Sequence, residues 1–325
     1  MSQADYHIWK IFDDRAGHNT QLEVLSDWMM QDKRFSIKTI HNMMDLSPQI
    51  LKHNHENLSA KGHLILSVGG SASLQALALR DYIHRMQGKT VLIQVLSPKK
   101  RSKDFDLILL PKHDRKEGGN ILTITGALTP DIAPTMGMAD GKKHGLLIII
   151  GGDNKHYKLD DKAIAPLLHW LQGEGKNKKI RLTTSRRTPK PIDLAIKAAM
   201  QGNDHEFYSP HHANQHETVE NPYKQWLAEA ETLLVTQESI SMICEAIRTK
   251  NPVALYPLSK RLFSWHHHKF EAFAKDLIHQ KLVSMATIQP ELQCHFYTQD
   301  ETNHQAFLGE KQMILDRIFK LYASQ

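Results

Sequence analysis

Apolar runs of strand length alternate along the chain with amphipathic stretches of helix length, and Gly, Pro, Asp or Ser separate them. The runs at 63–68 and 146–150 are dominated by aliphatic side chains, which is typical of parallel strands buried on both faces. Strands are predicted near 6–12, 35–40, 63–68, 90–95, 106–110, 121–124, 146–150, 179–184, 231–236 and 253–256. Helices are predicted near 19–30, 71–86, 160–173, 190–201, 239–248, 263–279 and 309–323. This α/β pattern predicts Rossmann-like domains with parallel sheets.

Residues 127–145 interrupt the pattern with two Pro, three Gly and no periodicity, which indicates a linker. We therefore predict an N-terminal domain over 1–138 and a C-terminal domain over 139–325, with a last helix that can pack back on the first domain. Two such domains are expected to face each other across a cleft. Because ligands of these folds bind at the carboxyl ends of strands, the strand-to-helix turns are the places to search.

Composition narrows the class of protein. The chain has 325 residues, a net charge of +6 and two cysteines, too few for a disulfide scaffold. No apolar run approaches the roughly 18 residues of a membrane span, and the N-terminus lacks a basic segment followed by an apolar one. We therefore expect a cytoplasmic protein. The basic excess is spread over both halves, which argues against a nucleic-acid partner. The densest cluster, Lys99–Lys103, is either a solvated loop or a docking site for anionic lipid or substrate.

The turn after the first strand carries an acid and a base. Asp14 and His18 form the candidate acid/base pair, and Arg15 completes the candidate catalytic set. Gly17 permits a tight turn on the predicted acceptor side, and Asn19 or Thr20 is expected to cap the next helix. The alternative is an ordinary turn with a solvent-exposed His18.

Two double-glycine turns follow later strands. Gly69, Gly70 and Ser71 follow the strand at 63–68, and Ser71 is expected to cap the next helix. Gly151 and Gly152 follow the strand at 146–150. Glycine lets a backbone approach a ligand closely, although an ordinary tight turn explains Gly69 and Gly70 equally well. Gly151 and Gly152 are expected at the floor of the cleft.

Two further turns are suited to a nucleoside diphosphate. Ser185, Arg186 and Arg187 precede a helix, and arginines at a helix N-terminus form a cradle for phosphates unless they are simply surface residues. Further on, Ser239 is a predicted helix cap. Ser241 and Glu245 lie one helical turn apart, which places a hydroxyl and a carboxylate on one face to hold a phosphate and a ribose, unless Glu245 is a surface residue.

The chain lacks several motifs of other enzyme classes. It has no GxSxG, P-loop or GxGxxG sequence, and its histidines and cysteines lack zinc spacing. We therefore expect neither a bound metal nor a cofactor.

Five turns of this chain together resemble, in kind and order, those of the "elongate mitochondria" fission protein family. They are DDRAGHNTQ, SVGGSASLQALAL, IIIGGDNKHY, TTSRRTP and TQESISMICEA. This resemblance implies a GT-B architecture, with the acceptor on the first domain and the nucleotide sugar mainly on the second. The segment at 260–266 matches the family only loosely.

The resemblance implies a glycosyltransferase that moves a sugar from a nucleoside-diphosphate sugar to a cell-envelope glycolipid or oligosaccharide, as in lipopolysaccharide biosynthesis. His18 would activate the acceptor, the arginines would stabilise the leaving diphosphate and Glu245 would hold the ribose. Peripheral contact with the inner face of the membrane would follow. The rival hypotheses are a non-catalytic fission-type adaptor and a nucleotide-sugar epimerase on the same fold.

Overall fold

The structure is a computed structural model that describes residues 6–324, apart from 45, 59–61, 133–143, 203, 213–219, 262–266 and 289–290. The chain divides into two compact units. The first comprises Met1–Thr129 and Leu308–Gln325, and the second comprises Pro130–Phe307. The boundary predicted between 138 and 139 lies outside the described residues.

The first unit contains a six-stranded sheet of order β2-β1-β3-β4-β5-β6, in which all neighbouring strands are parallel. Every residue of β1 is buried, because helices cover both faces of such a sheet. The strands are β1 (Tyr6–Ile11), β2 (Ile37–Met43), β3 (Gly62–Val68), β4 (Lys89–Val95), β5 (Leu107–Pro111) and β6 (Ile121–Ile124). The helices are α1 (Ala16–Gln31), α2 (Pro48–His53), α3 (His55–Leu58) and α4 (Gly69–Arg85).

The last helix, α10 (Glu301–Ala323), contributes its later residues to the core of the first unit. Ile314 and Ile318 are fully buried in the same cluster as Ile8 of β1. In addition, the Tyr322 hydroxyl accepts a hydrogen bond from the Ser36 amide at 3.0 Å. These contacts fix the end of the chain to the first unit.

The second unit contains a six-stranded parallel sheet of order β10-β9-β7-β11-β12-β14. A small antiparallel pair, β8–β13, lies apart from it. The strands are β7 (His144–Ile150), β8 (Tyr157–Lys158), β9 (Ile180–Thr184), β10 (His205–Tyr208), β11 (Ala230–Thr236), β12 (Val253–Tyr256), β13 (Ser259–Lys260) and β14 (Ser284–Met285). The helices are α5 (Asp161–Gln172), α6 (Lys190–Met200), α7 (Tyr223–Glu229), α8 (Ile240–Arg248) and α9 (His267–His279).

The predicted fold class, two α/β domains with parallel sheets, is confirmed. Sequence patterning missed the short elements β8, β10, β13, β14, α2, α3 and α7. These elements are two to seven residues long, too short to establish a periodicity. Within the described ranges, no helix is long and apolar enough to cross a membrane.

The predicted caps of two helices are wrong. α1 begins at Ala16 after an N-cap Arg15, and the side chain of Asn19 bonds to Asp13 instead of capping the helix. α4 begins at Gly69, so Ser71 lies inside its first turn. Both helices begin two to three residues before the predicted starts, without a side-chain cap.

Candidate functional site

The turn after β1 contains a hydrogen-bonded histidine and aspartate. The Nδ1 atom of His18 lies 2.6 Å from the Oδ2 atom of Asp13. The Asp13 side chain is 3% exposed, whereas that of His18 is 22% exposed. When Nδ1 donates to this carboxylate, Nε2 carries the lone pair that can accept a proton from a bound hydroxyl.

The predicted acid was Asp14, but the residue that pairs with His18 is its neighbour Asp13. Hydrogen bonds within the turn hold Asp13 in place. Its Oδ1 accepts the Arg15 amide at 2.7 Å, and the side chain of Asn19 bonds both its amide and its carbonyl at 3.0 Å. Asp14 is exposed and therefore takes no part in this arrangement. The carboxylate paired with His18 is thus Asp13.

Gly69 lies against this pair. Its φ is +71°, and a Cβ there would lie 2.5 Å from Asp13 Oδ2 and 2.9 Å from His18 Nδ1, so only glycine fits. The side chain of Gln94 holds the turn by donating to the Gly69 carbonyl at 3.0 Å, and Ser67 in turn donates to Gln94 at 2.6 Å. A buried polar network therefore positions the glycine beneath the dyad.

The remaining predicted residues of the first unit lie at the surface. Gly70 is half-buried, and a Cβ there would lie 3.5 Å from Lys99 Cβ. Arg15, Gly17 and Ser71 are exposed, and a Cβ at Gly17 would meet no atom within 4 Å. The Arg15 carbonyl accepts a hydrogen bond from the His18 amide at 3.0 Å, so Arg15 contacts His18 through its backbone.

In the second unit, Gly151 and Gly152 follow β7 and pack on Glu238. The Gly152 amide donates to Glu238 Oε1 at 2.9 Å, and the Gly151 amide donates to Thr236 Oγ1 at 2.8 Å. A Cβ on Gly151 would lie 1.7 Å from Glu238 Oε1, and one on Gly152 would lie 2.2 Å from the Arg187 carbonyl. Both glycines are required by close approach of neighbouring atoms.

The Ser185–Thr188 turn closes over the same glycines. Ser185 Oγ donates to the Gly151 carbonyl at 2.9 Å and accepts the Arg187 amide at 3.1 Å. Thr188 Oγ1 also donates to the Gly151 carbonyl. The Arg187 guanidinium lies 3.1 Å from Glu238 Oε1 and is 42% exposed, so its other face is open to a ligand.

Glu238 is the buried charge of this site. Burial raises the pKa of its carboxyl group, against the opposing effects of Arg187 and the Gly152 amide. Its Oε2 atom is buried, and no hydrogen-bond partner for it lies among the described residues. Removing Arg187 would therefore leave a buried carboxyl group without its neighbouring cation.

A second arginine, Arg261, holds the loop that follows the glycines. Its guanidinium bonds Asp153 Oδ2 at 2.6 Å and the Asn154 carbonyl at 2.9 Å. Asn154 in turn donates to the Glu238 carbonyl at 3.2 Å. Arg261 belongs to the segment 260–266, which matches the family only loosely, and 262–266 of that segment lie outside the described residues.

Two of the predicted residues, Ser239 and Ser241, lie at the start of α8, and Glu245 lies one turn further on. Ser239 is the N-cap, as predicted, but its side chain makes no capping hydrogen bond. Ser239, Ser241 and Glu245 are half-buried. The Tyr223 hydroxyl donates to Glu245 Oε2 at 2.5 Å, and burial raises the pKa of Glu245 while this bond lowers it. Tyr223 therefore orients the carboxylate.

The structure thus groups Gly151, Gly152, Ser185 and Arg187 around Glu238. By contrast, the exposed side chain of Arg186 makes no hydrogen bond or ion pair with any described residue. In the described part of the chain, no cluster of three or more His, Cys, Asp or Glu residues is placed to hold a metal ion.

Comparisons with known proteins agree with this fold. The sequence profile of the mitochondrial fission ELM1 family matches residues 16–318. The chain belongs to that family. An uncharacterized protein of Rickettsia prowazekii is 24% identical over 326 aligned positions, which cover 85% of this chain and 89% of the relative.

Among solved structures, this ELM1 family chain is similar to a UDP-glucosyltransferase from Polygonum tinctorium, with a TM-score of 0.53 and 9% identity over 100% of this chain and 94% of that one. The chain is also similar to MurG of Acinetobacter baumannii. That alignment covers 98% of this chain and 95% of the MurG chain, with a TM-score of 0.45 and 13% identity. The similarity to the glucosyltransferase supports the predicted GT-B-like fold.

Proposed function

We propose that this ELM1 family protein is a glycosyltransferase that moves a sugar from a nucleoside-diphosphate sugar to a cell-envelope glycolipid or oligosaccharide. The observation that carries the proposal is the His18–Asp13 pair at the carboxyl edge of a parallel sheet. A histidine oriented by a buried carboxylate is a general base for a hydroxyl group, and a pure adaptor does not need one.

In the proposed reaction the acceptor oxygen forms a bond to the anomeric carbon of the donor sugar. The bond from that carbon to the diphosphate oxygen breaks, and the diphosphate leaves with the electron pair. The acceptor proton passes to Nε2 of His18. The proposed base belongs to the first unit, and the proposed donor-binding residues belong to the second.

Arg187 is the principal diphosphate ligand in this proposal, because its guanidinium is fixed on one side by Glu238 and 42% exposed. Arg186, Gly151, Gly152, Ser185, Ser239 and Ser241 complete the donor-binding set. A positive charge beside the leaving diphosphate stabilises charge that develops in the transition state, as a metal ion does elsewhere. We therefore propose a metal-independent reaction.

A nucleoside diphosphate is expected to raise the melting temperature of the protein without added divalent metal. Ligand at 100 times its dissociation constant stabilises a protein by about 2.7 kcal/mol. Thermal shifts with the diphosphates UDP, GDP and dTDP, and with the monophosphate CMP, each with and without EDTA, measure the effect. A shift that EDTA abolishes and magnesium restores would contradict metal independence.

Glu245 is proposed to hold the ribose diol of the donor. Glu245→Ala is expected to weaken nucleoside diphosphate binding by about 2–4 kcal/mol, the strength of two charge-assisted hydrogen bonds. Isothermal titration measures it. Tyr223→Phe is the matched control, because it removes the same internal hydrogen bond but keeps the carboxylate. Equal losses of affinity in the two variants would show that Glu245 matters only through its structural bond to Tyr223, and would contradict its role in holding the ribose.

We propose that the protein is cytoplasmic and makes peripheral contact with the inner face of the membrane, because a glycolipid acceptor would bring it there. Incubation with a donor sugar also separates the rival hypotheses. Isomerisation of the donor without an acceptor would identify an epimerase, and absence of donor binding would identify an adaptor.

A further inference from the structure

The positive charge of the first unit is concentrated in one stretch. Residues 97–117 contain seven Lys or Arg and four Asp or Glu, whereas the rest of 1–129 contains ten and nine. Lys99, Lys100 and Lys103 follow β4, and Arg115 and Lys116 precede β6; all five are exposed. We call the residues 97–103 and 112–117 the basic edge.

The sheet order places the basic edge beside the His18–Asp13 pair. The strands β1, β3, β4 and β5 are consecutive neighbours and parallel, so the turns that follow them leave the same edge of the sheet. Neighbouring strands lie about 4.8 Å apart, which puts β4 and β5 roughly 10 and 14 Å from β1.

Side-chain contacts connect the two features. The turn of Gly69 and Gly70 lies between them, because a Cβ on Gly69 would lie 2.9 Å from His18 Nδ1 and one on Gly70 would lie 3.5 Å from Lys99 Cβ. The two loops of the basic edge are also joined, since Lys116 Nζ donates to Ser97 Oγ at 2.8 Å. The lysines therefore lie next to the proposed acceptor position.

Backbone geometry indicates that these loops are held in shape. Leu96, Arg101 and Arg115 all have positive φ, at 65°, 58° and 52°. Non-glycine residues in this region are strained and persist where the surroundings fix them. Both the loop after β4 and the turn before β6 therefore have defined backbone conformations.

We infer that the acceptor carries a phosphate or diphosphate group, and that the basic edge binds this group while His18 faces the hydroxyl that is glycosylated. This inference rests on the proposed function. The residues of the basic edge include no Phe, Tyr or Trp, so the edge lacks the stacking surfaces that single-stranded nucleic acids require.

Hydrogen–deuterium exchange of the full chain with inorganic pyrophosphate tests the inference. We expect slower exchange in peptides of 97–103 and 112–117, and an affinity about tenfold weaker in Lys99→Ala/Lys100→Ala. Lys33→Ala/Lys38→Ala is the matched control, because both lysines are exposed at the amino end of β2 in the same sheet. That variant should bind as the wild type does.

Two further probes distinguish the sources of the phosphate. Protection of the same peptides by N-acetylglucosamine 1-phosphate indicates a soluble sugar phosphate. Protection by phosphatidylcholine vesicles that contain phosphatidylglycerol, but not by pure phosphatidylcholine vesicles, indicates a lipid phosphate. Either result supports the inference.

Absence of protection at the basic edge with all the probes, or equal losses in the two double variants, would overturn the inference. The proposed function is tested separately, by whether a nucleoside diphosphate slows hydrogen–deuterium exchange in peptides that contain 185–188. Protection there without protection at the basic edge would leave the donor site standing and reject the phosphorylated acceptor.

Discussion

His18→Ala is expected to lower kcat by about 10²–10⁴, the usual contribution of a general base. Nucleoside diphosphate affinity should stay within about twofold, because the base acts on the acceptor and not on the donor. The half-buried His18 ring lies at the end of the sheet and bonds to Asp13 through Nδ1, so its removal should leave the core intact. Steady-state rates and isothermal titration on one protein preparation measure the two effects.

The neighbouring carboxylates provide a matched pair of variants. Asp13→Asn should lower kcat, because the oxygen that accepts the Arg15 amide is kept and a donor NH2 group then faces Nδ1 of His18, which favours the wrong tautomer. Asp14→Asn should leave kcat within about twofold, because Asp14 is exposed and outside the pair. A loss of donor binding in His18→Ala, or equal effects of the two Asn variants, would contradict the assignment of His18 as the base.

Arg187→Ala is expected to weaken nucleoside diphosphate binding by about 2–4 kcal/mol, because it removes a charged ligand and leaves Glu238 without its cation. The free energy of unfolding should also fall, since the Glu238 carboxyl group is buried. Adding Glu238→Gln should restore part of the stability but not the binding. Isothermal titration and urea denaturation separate the two effects.

Arg186→Ala is the control for Arg187→Ala. Both residues are exposed arginines of one turn, but only Arg187 pairs with Glu238. We expect the loss of affinity in Arg186→Ala to be at least about tenfold smaller than in Arg187→Ala, because a side chain that no neighbour holds loses more entropy on binding. The reverse ranking would show that the Glu238 pair is a purely structural feature.

The sequence predicted the fold class because the central strands are long aliphatic runs. β3 and β7 are buried from both sides, so their residues need no polar alternation and stand out in the sequence. β10 and β14 are the two edge strands of their sheet, and they have only four and two residues. Strands this short show no hydrophobic pattern in the sequence. Tertiary pairing decides elements of this kind.

Local sequence could locate the candidate turns but not choose between neighbouring residues. Asp13 and Asp14 are chemically identical, and only the direction of the backbone after β1 buries one and exposes the other. Glu238 and Arg261 were missed because their partners, Gly152 and Asp153, are distant in sequence. A signal for Glu238 did exist, since an acid directly after a buried strand and before a helix lies where ligands bind in such folds.

The most direct test of the central claim is a sugar-transfer assay with purified protein, donor nucleotide sugars and an extract of envelope glycolipids, read by mass spectrometry. The proposed glycosyltransferase predicts release of the nucleoside diphosphate together with a product heavier by one sugar residue, in the presence of EDTA. Both signals should fall with His18→Ala. Donor binding with no transfer to any acceptor fraction, or a transfer rate unchanged by His18→Ala, would contradict the account.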